Sequence, residues 1–409
     1  METPKPPTSR ENKSYPERGR LPRRAKAAAI LALSAVALSG CAPVANTQES
    51  SASSCKSTLW QKDNLQQLRQ ATRAVMKSKV VKAGVAPGGA VAVGCGSKEL
   101  VHLGVGRTGN GNAVSADNTV YDISSVSKMF TATAIFMLQN EGRLGLDDPV
   151  GRFLPTYRAG SRSHVTFRML MQHRSGLVDP RYSRLLAGAD TPGQAWQKVL
   201  TYPLAHRPGT EFSYSNAGFS ALWAAGGRAA KEPLQDYLQQ QLFRPLGMNR
   251  TGYQPAGPCA PTSPDENQSR TLECVPQDRL ARALGGEAGH AGVFSTVTDL
   301  GRFASMLASG GKKGGHSYLT TGEVRLMGAH QSDSAYGTGA WTNQHKAYSR
   351  QMSPDAFGHY GYNGVSLFVD PDTNKWAVLA TNGTLHQEVP DAQAHVAVRA
   401  VNDTFVRSS

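Results

Sequence analysis

The most informative segment of the chain is residues 121–146, which read YDISSVSKMFTATAIFMLQNEGRLGL. Ser125 and Lys128 are three residues apart near its start, a spacing that places two side chains on one face of an α-helix. The residues that follow, as far as Leu138, are almost all apolar, which predicts a helix buried on nearly every side, and Gly142 is a suitable C-terminal stop. We therefore expect Ser125 at the mouth of a buried helix. Burial lowers the pKa of a neighbouring lysine, so that it can accept the serine proton.

The Ser-x-x-Lys spacing alone is weak evidence because the chain contains it three times. The three pairs are Ser53 with Lys56, Ser125 with Lys128, and Ser309 with Lys312. The first lies in a Ser-rich tract and the third in a Gly-rich run, and neither opens an apolar helix. Only Ser125 and Lys128 have the surroundings of a nucleophile and its base.

Charge and composition restrict the class of protein. The 409 residues carry a net charge of +14, of which the first 40 residues contribute +5 through eight Lys/Arg and three Glu. The remaining positive charge is dispersed, without a dense basic block or basic helix, which argues against nucleic-acid binding. The chain also lacks the Cys-x-x-Cys and His-Glu-x-x-His spacings of common zinc sites, so we expect neither a metal nor a cofactor.

The N-terminus has the features of an export signal. Five Lys or Arg between residues 18 and 26 precede an apolar run, Ala27–Leu38, that is too short to span a membrane as a helix. The run ends in Leu-Ser-Gly-Cys at Cys41, which resembles the bacterial lipoprotein signal, in which this cysteine is lipidated. The alternative is a plain secretory signal in which Cys41 is incidental. Ala42 after it favours the outer membrane if the cell is Gram-negative.

Export would divide the chain into three parts. Residues 1–40 are expected to be the signal peptide, and residues 41–57, rich in Ser, Thr, Gln and Ala, a flexible tether. A lipid anchor at Cys41 would hold the protein on the membrane with residues 58–409 as the folded domain. This domain should face the periplasm, and we expect it to be a monomer.

Four cysteines remain after Cys41, an even number that favours disulfides in an oxidising compartment. They allow three pairings. We favour Cys55 with Cys95, which would pin the start of the domain to its first strand, and Cys259 with Cys274, which would close a polar loop.

The order of predicted elements indicates an α+β fold. A helix over Leu59–Val80 and a hairpin at Gly88–Gly94 and Leu100–Val105 begin the domain, and helical patterns follow Ser125. The later elements are helices over Val165–His173 and Thr191–Tyr202, a helix that follows the turn at residues 208–216 and runs to about Ala230, and helices over Pro233–Leu242 and Thr298–Ser309. Strands are expected over Gly339–Thr342, His359–Gly361, Val365–Asp370 and Trp376–Thr381, and a closing helix over Val389–Phe405. We therefore expect an antiparallel sheet from residues 58–124 and 326–409, flanked by the N- and C-terminal helices, with a mostly helical lobe over residues 125–325.

Two further motifs accompany Ser125 and Lys128. Tyr214 and Asn216 lie in a turn, at the only Tyr-x-Asn of the chain, and His359 and Gly361 lie at the start of a strand. Each has a plain structural interpretation: a half-buried tyrosine, a helix N-cap asparagine, and a hairpin histidine exposed to water.

In order along the chain, these motifs resemble those of the serine penicillin-recognising hydrolases: class C β-lactamases, DD-peptidases and related esterases. The resemblance extends from about Leu59 to Phe405 and includes intermediate segments such as LMQHRSGL at 170–177 and AGVFST at 291–296. It implies that Ser125 attacks a carbonyl and forms an acyl-enzyme. Lys128 and Tyr214 would share the proton transfer, because a phenol becomes a base only where cations stabilise its phenolate.

The resemblance also implies roles for the remaining candidates. A protonated His359 would be the second cation beside Tyr214, and Asn216 would donate to the substrate amide. The backbone N–H groups of Ser125 and Tyr362 would bind the oxyanion. Gly361 would leave room for substrate along the strand edge.

Departures from the family pattern limit the expected activity. Many β-lactamases have lysine at the position of His359, and Tyr360 replaces the usual threonine, so we expect a poor β-lactamase. The favoured substrates are D-amino-acid peptides or amides, with peptidoglycan as the natural polymer. Small esters, and wall binding without catalysis, are the alternatives. The loop Gly289–Gly292 either lines the cleft with His290 or has only a structural role in a turn. A conventional α/β-hydrolase is not expected, because the chain has no Gly-x-Ser-x-Gly.

Overall fold

An antiparallel sheet joins the two ends of the domain in the computed structural model. The model describes Cys55 and residues 61–255, 257–263, 271–385 and 391–407, with the backbone alone for 391–395 and 405–407. The predicted signal peptide, Cys41 and the tether, apart from Cys55, lie outside the described residues. The strands are β1 (Gly88–Cys95), β2 (Lys98–Gly106), β3 (Tyr121–Asp122), β4 (Phe294–Ser295), β5 (Lys312–Lys313), β6 (His316–Ser317), β7 (Trp341–Thr342), β8 (Phe357–Gly361), β9 (Val365–Asp370) and β10 (Lys375–Thr381).

Among the described residues the main sheet has the strand order β2-β1-β10-β9-β8-β7. β1 pairs with β10, so that Gly89 lies opposite Thr381, and the first hairpin therefore joins the last strand of the chain. Every neighbouring pair is antiparallel. The predicted α+β fold with an antiparallel sheet is confirmed.

The helices agree with most of the predicted ones. They are α1 (Lys62–Val75), α2 (Ser127–Asn140), α3 (Phe167–Met171), α4 (Tyr182–Leu185), α5 (Pro192–Thr201), α6 (Asn216–Ala230), α7 (Leu234–Leu238), α8 (Arg279–Ala283), α9 (Val297–Ala308), α10 (Thr321–Gly328) and α11 (Asp391–Arg407). Single π-helical turns extend α1 and α7, over Met76–Val81 and Gln239–Phe243. None of the helices in the described residues is both long and apolar enough to cross a membrane.

The two faces of the sheet are covered by different helices. α9 packs on β10, β1 and β9, whereas α1 and α11 pack on the opposite face. α9 lies within the range 125–325 that was expected to form the helical lobe, yet it covers the sheet. The reason is its apolar face, which includes Leu300, Phe303 and Leu307, all fully buried.

α2 is the central helix of the larger core. Every residue from Ser127 to Leu138 is buried, as the apolar sequence predicts. A 3₁₀ turn, Ser124–Val126, precedes α2 and carries Ser125. The short ladder between β3 and β4 holds the chain just before this turn against the segment around Phe294.

Both favoured disulfides, Cys55–Cys95 and Cys259–Cys274, are present. The first ties the chain before α1 to the end of β1. The second closes the polar loop that precedes α8.

Candidate active site

The structure brings Ser125 and Lys128 into contact. Lys128 Nζ donates to Ser125 Oγ at 3.1 Å. Ser125 lies in the 3₁₀ turn rather than in α2 itself, and its side chain is partly exposed. The preceding residue, Ser124, has a left-handed backbone (φ 47°), and Asp122 Oδ1 accepts from its N–H at 2.9 Å. This sharp turn presents the Ser125 hydroxyl at the end of the buried helix.

Lys128 is fully buried and is surrounded by acceptors. Its Nζ also donates to Asn216 Oδ1 at 2.8 Å and to the carbonyl of His290 at 3.1 Å. Burial lowers the pKa of Lys128 to about 7, against the opposing negative charges of Asp278 and Asp179. An amine with this pKa is partly neutral near neutral pH and can accept the Ser125 proton.

Tyr214 lies against Lys128, within a cluster of aromatic rings. Lys128 Nζ is 4.8 Å from the centre of the Tyr214 ring, and that ring stacks on Trp341 at 5.8 Å. His173 packs on Tyr214 at 4.3 Å, and its Nδ1 accepts from the N–H of Ser215 at 3.0 Å. These contacts fix the Tyr214 ring beside the lysine. His173 belongs to the segment 170–177, whose sequence resembles the family but predicted no role for this histidine.

Asn216 is the first residue of α6, and both polar atoms of its side chain are hydrogen-bonded. Oδ1 accepts from Lys128, whereas Nδ2 donates to Tyr182 Oη at 2.6 Å. The N-cap of α6 is Ser215, so the interpretation of Asn216 as a helix cap is wrong. Asp179 completes the helix start by accepting from the N–H groups of Asn216 and Ala217.

His359 lies in the same cluster but is not the expected cation. Its Nδ1 donates to the carbonyl of Tyr360 at 2.8 Å, and its Nε2 lies 3.4 Å from Tyr336 Oη. Burial, with a contribution from the Lys128 charge, lowers the pKa of His359 to about 3. The expectation of a protonated His359 is therefore wrong, because burial and the neighbouring Lys128 charge both disfavour a second cation here.

Gly361 is required by the packing of β8 on the nucleophile turn. A Cβ at this position would lie 2.4 Å from the carbonyl oxygen of Ile123 and 3.0 Å from Cβ of Ser124. The expected reason for Gly361, room for substrate, therefore needs correction: the absent side chain gives room to the turn. Tyr362 follows at once and is 68% exposed.

Asp122 is a functional residue that motif reasoning missed. Its carboxylate accepts from the N–H groups of Ser124 (2.9 Å) and Gln277 (2.7 Å), and its carbonyl accepts from Asn363 Nδ2 at 3.1 Å. It thereby ties together the nucleophile turn, the loop before α8 and the turn after β8. Its place two residues before Ser124, between the apolar side chains of Tyr121 and Ile123, was the signal that could have found it.

His290 has a direct role through its backbone, as the acceptor of Lys128. Its ring is fully buried between Asp278 and Ser220, with Nε2 at 2.9 Å from Asp278 Oδ1 and Nδ1 at 2.9 Å from Ser220 Oγ. Tyr336, the partner of His359, and Tyr182, the partner of Asn216, had no recognisable motif. Their contacts depend on tertiary structure alone.

The other Ser-x-x-Lys pairs are not comparable. Ser309 ends α9 and Lys312 is exposed in β5, whereas Ser53 and Lys56 lie outside the described residues. Within the part of the chain that the structure covers, no three His, Cys, Asp or Glu side chains are grouped to hold a metal ion. The site therefore offers a hydroxyl, an amine and a phenol, which are the groups of acyl transfer through a serine.

Comparison with known proteins agrees with this chemistry. The family model named Beta-lactamase matches residues 68–401, so the chain belongs to the beta-lactamase family. A provisionally named D-alanyl-D-alanine carboxypeptidase of Escherichia coli (strain K12) is 26% identical over 310 residues, which are 67% of this chain and 71% of that protein.

Solved structures share the fold at low sequence identity. EstCE1, a hydrolase with promiscuous acyltransferase activity, is 22% identical with a TM-score of 0.66, covering 82% of this chain and 99% of its own. The D-alanine carboxypeptidase AmpC of Burkholderia cenocepacia is 20% identical with a TM-score of 0.63, covering 82% and 99%. The chain thus shares its fold with a hydrolase that has acyltransferase activity and with a D-alanine carboxypeptidase.

Proposed function

We propose that the protein is a serine hydrolase that forms an acyl-enzyme at Ser125 and acts on D-amino-acid peptides or amides of the cell envelope. The observation that carries this is the 3.1 Å contact between Lys128 Nζ and Ser125 Oγ, made by a lysine whose pKa is about 7. Peptide substrates are supported by the relative named as a D-alanyl-D-alanine carboxypeptidase.

The reaction proceeds by two acyl transfers. Ser125 Oγ forms a bond to the substrate carbonyl carbon as its proton passes to Lys128, with Tyr214 as the second proton carrier. The bond to the leaving amine or alcohol breaks, and the leaving group takes the proton. Water then attacks the acyl-enzyme and releases Ser125. The proposed oxyanion donors are the backbone amides of Ser125 and Tyr362, on the two segments that pack together at Gly361.

One observation favours esters as a second class of substrate. His359 occupies a position where many family members have lysine, and its low pKa leaves it neutral. That position consequently supplies no positive charge for a substrate carboxylate, which weakens carboxylate recognition more than recognition of a neutral ester or amide. The shared fold with EstCE1 is in line with this alternative.

We also propose that the enzyme is exported and held on the membrane by a lipid at Cys41, where peptidoglycan is the nearest polymer of D-amino acids. The support is the charged and apolar leader that ends at Cys41. Changing Cys41 to Ser should move the protein from the membrane pellet to the soluble fraction. Retention in the pellet would contradict the anchor without affecting the proposed chemistry.

The nucleophile is tested by covalent labelling. A fluorophosphonate or penicillin probe should label the wild-type protein with a mass increase on the peptide that contains Ser125. Ser125→Ala should abolish labelling, and Ser309→Ala, at the third Ser-x-x-Lys pair, is the matched control that should label normally. Equal labelling of Ser125→Ala would overturn the proposal.

The substrate class is then decided by kinetics. We would compare kcat/KM for a D-Ala-D-Ala peptide, the same peptide as its C-terminal amide, and a short p-nitrophenyl ester. A higher value for the peptide or amide supports the peptidase, and a higher value for the ester supports the esterase. Binding of the peptides without turnover of any substrate would instead indicate a wall-binding protein.

A further inference from the structure

Asp278 is joined to the proton-transfer site by a first route through His290. Asp278 Oδ1 is 2.9 Å from His290 Nε2, and the carbonyl of the same histidine accepts from Lys128 Nζ at 3.1 Å. Ser220 Oγ and the carbonyl of Ala288 hold the other ring nitrogen, at 2.9 and 3.1 Å. Because the ring is fully buried and bonded on both nitrogens, the His290 backbone is fixed where Lys128 needs an acceptor.

A second route runs from the same carboxylate through Tyr182. Burial and the neighbouring charge of Asp278 raise the pKa of Tyr182, so the phenol keeps its proton, and its oxygen accepts from Asn216 Nδ2 at 2.6 Å. That contact orients the Asn216 amide so that Oδ1 faces Lys128 Nζ at 2.8 Å. Asp278 is thus hydrogen-bonded to the residue that supplies one acceptor of the lysine, His290, and its charge acts on Tyr182, the partner of a second acceptor, Asn216.

Charge adds to this geometry. Burial would raise the pKa of Asp278, but the hydrogen bond and charge of His290, the N–H of Ala281 and the charge of Lys128 outweigh it and lower the pKa below its usual value. The carboxylate is therefore ionised at every pH at which the enzyme would work, and its negative charge raises the pKa of Lys128.

Several other ionisable groups lie around Asp278 and Lys128. Tyr182 from α4, Asp122 from β3 and His290 face Asp278. Asp179, His173, His359 and the ring of Tyr214 surround Lys128. Burial lowers the pKa of both His173 and His359, so these histidines stay neutral near pH 7. Asp179 and Asp278 are the carboxylates whose charges act on the lysine.

We propose that Asp278 is a positioning residue for the catalytic base, holding His290 in place beside Lys128 and supplying a fixed negative charge to that lysine. This inference rests on the proposed function of Ser125 and deepens it. A nearby negative charge stabilises protonated Lys128, so the amine loses its proton only at a higher pH.

Asp278→Asn is the variant that separates charge from structure. Asp278 is the N-cap of α8 and accepts from the N–H of Ala281 at 2.7 Å. Asparagine caps helices as well as aspartate does and keeps an oxygen for His290, so folding should be preserved. We would measure kcat/KM for an activated ester from pH 5 to 9 and follow the acidic limb, where the base takes up its proton.

In the wild-type enzyme, the midpoint of the acidic limb of the kcat/KM profile should lie near pH 7, in line with the Lys128 pKa. In Asp278→Asn this limb should move to lower pH by roughly one unit. At a pH below both limbs, the fraction of plateau activity that remains should then be about tenfold higher in the variant than in the wild type. Asp278→Glu, which restores the charge, should return the limb toward the wild-type position. Ser220→Ala, which removes one of the two partners of His290 Nδ1 without changing charge, should leave the limb unmoved.

Each outcome is decisive. A fall in plateau rate with an unmoved limb in Asp278→Asn would overturn the proposal and reduce Asp278 to a structural cap. An equal shift in Ser220→Ala would overturn it too, since it would assign the effect to the position of His290 rather than to the charge. Active-site labelling of wild type and of Asp278→Asn is measured in parallel. Absent labelling of the wild type is the failure of the proposed function, and is thereby distinguished from failure of the role of Asp278.

Discussion

Gly361 lies where β8 passes closest to the turn that carries the nucleophile. The nearest neighbour of a Cβ added here is a backbone oxygen, that of Ile123, at 2.4 Å. A backbone atom cannot rotate out of the way as the end of a flexible side chain can. Either the strand or the turn must shift, and the positions of His359 and Ser125 depend on these two segments.

Gly361→Ala should accordingly lower kcat/KM by about tenfold to a hundredfold, because a displacement of about 1 Å at the nucleophile is enough for a loss of this size. Overpacking should also lower the free energy of unfolding by about 1–3 kcal/mol. The measurements are ester hydrolysis and urea denaturation. Gly193→Ala is the matched control, because its added Cβ has no neighbour within 4 Å. If Gly361→Ala were as active as this control, the contact would have no part in the geometry of the site.

The protonation state of His359 shows what a motif cannot reveal about a single residue. Its place in the order of motifs was visible in the sequence, and its charge was not. The charge is decided by burial, by the carbonyl of Tyr360 and by Tyr336, which lies 23 residues away in the sequence. The same holds for Tyr182 and Asn216, which meet only in the folded chain.

At the level of elements, the start of α6 positions two groups of the site. Tyr214 and Asn216 flank the N-cap, Ser215, and Asp179 accepts from Ser215 Oγ (2.7 Å), the N–H of Asn216 (2.6 Å) and the N–H of Ala217 (3.1 Å). The first N–H groups of a helix have no partner within it, so this carboxylate satisfies two of them and attracts the positive helix end.

Asp179→Ala should lower the free energy of unfolding by about 1–2 kcal/mol and should also lower kcat/KM, because Asn216 loses its fixed orientation toward Lys128. Thr191→Ala removes a comparable cap, the capping box of α5, and is the control. It should lose similar stability, as measured by thermal unfolding, while keeping wild-type kcat/KM. Parallel losses of activity in both variants would show that only general stability is at stake.

Local patterns predicted most of the elements, but α10 was missed. Thr321–Gly328 contains two glycines in eight residues, which weakens its helical pattern, and strands had been expected to begin nearby. The signal that was available is the capping box of Thr320 and Glu323. The short helices α4 and α8 were missed as well, because four or five residues carry too little periodicity to recognise.

For the whole molecule, the buried Lys128 makes stability depend on pH. The folded state holds the pKa of Lys128 at about 7, whereas an exposed lysine has 10.5, so between these pH values the unfolded chain binds more protons than the folded one. Burial of the charged amine therefore lowers the free energy of unfolding by its full amount below pH 7, and this loss disappears as the pH rises toward 10.5.

Lys128→Met should remove this dependence. The free energy of unfolding of the wild type, minus that of the variant, should rise by a few kcal/mol, in order of magnitude, between pH 7 and pH 10. Urea denaturation at several pH values measures it. Lys312→Met, at an exposed lysine, is the control and should follow the wild-type curve. A constant difference between wild type and Lys128→Met across this range would mean that the amine stays protonated in the folded protein, and it could not then be the base.

The division of the molecule into parts was harder to predict than its elements. The sequence placed α9 with the helical lobe because it follows a long helical region, but its apolar face packs on β10 and β1. Which surface a helix covers is determined by strands far away in the chain, and a local pattern contains no information about that partner.

The pairing of β1 with β10 has a consequence for the folding of the newly synthesised chain. Ser125 and Lys128 are synthesised early, but the strand that positions His359 and the strand that closes the sheet come near the end of the chain. Contacts between residues so distant in sequence form slowly, because a large loop must be closed first. A growing or truncated chain would carry its nucleophile without a working cleft, and hydrolysis would begin only once the last strand has docked.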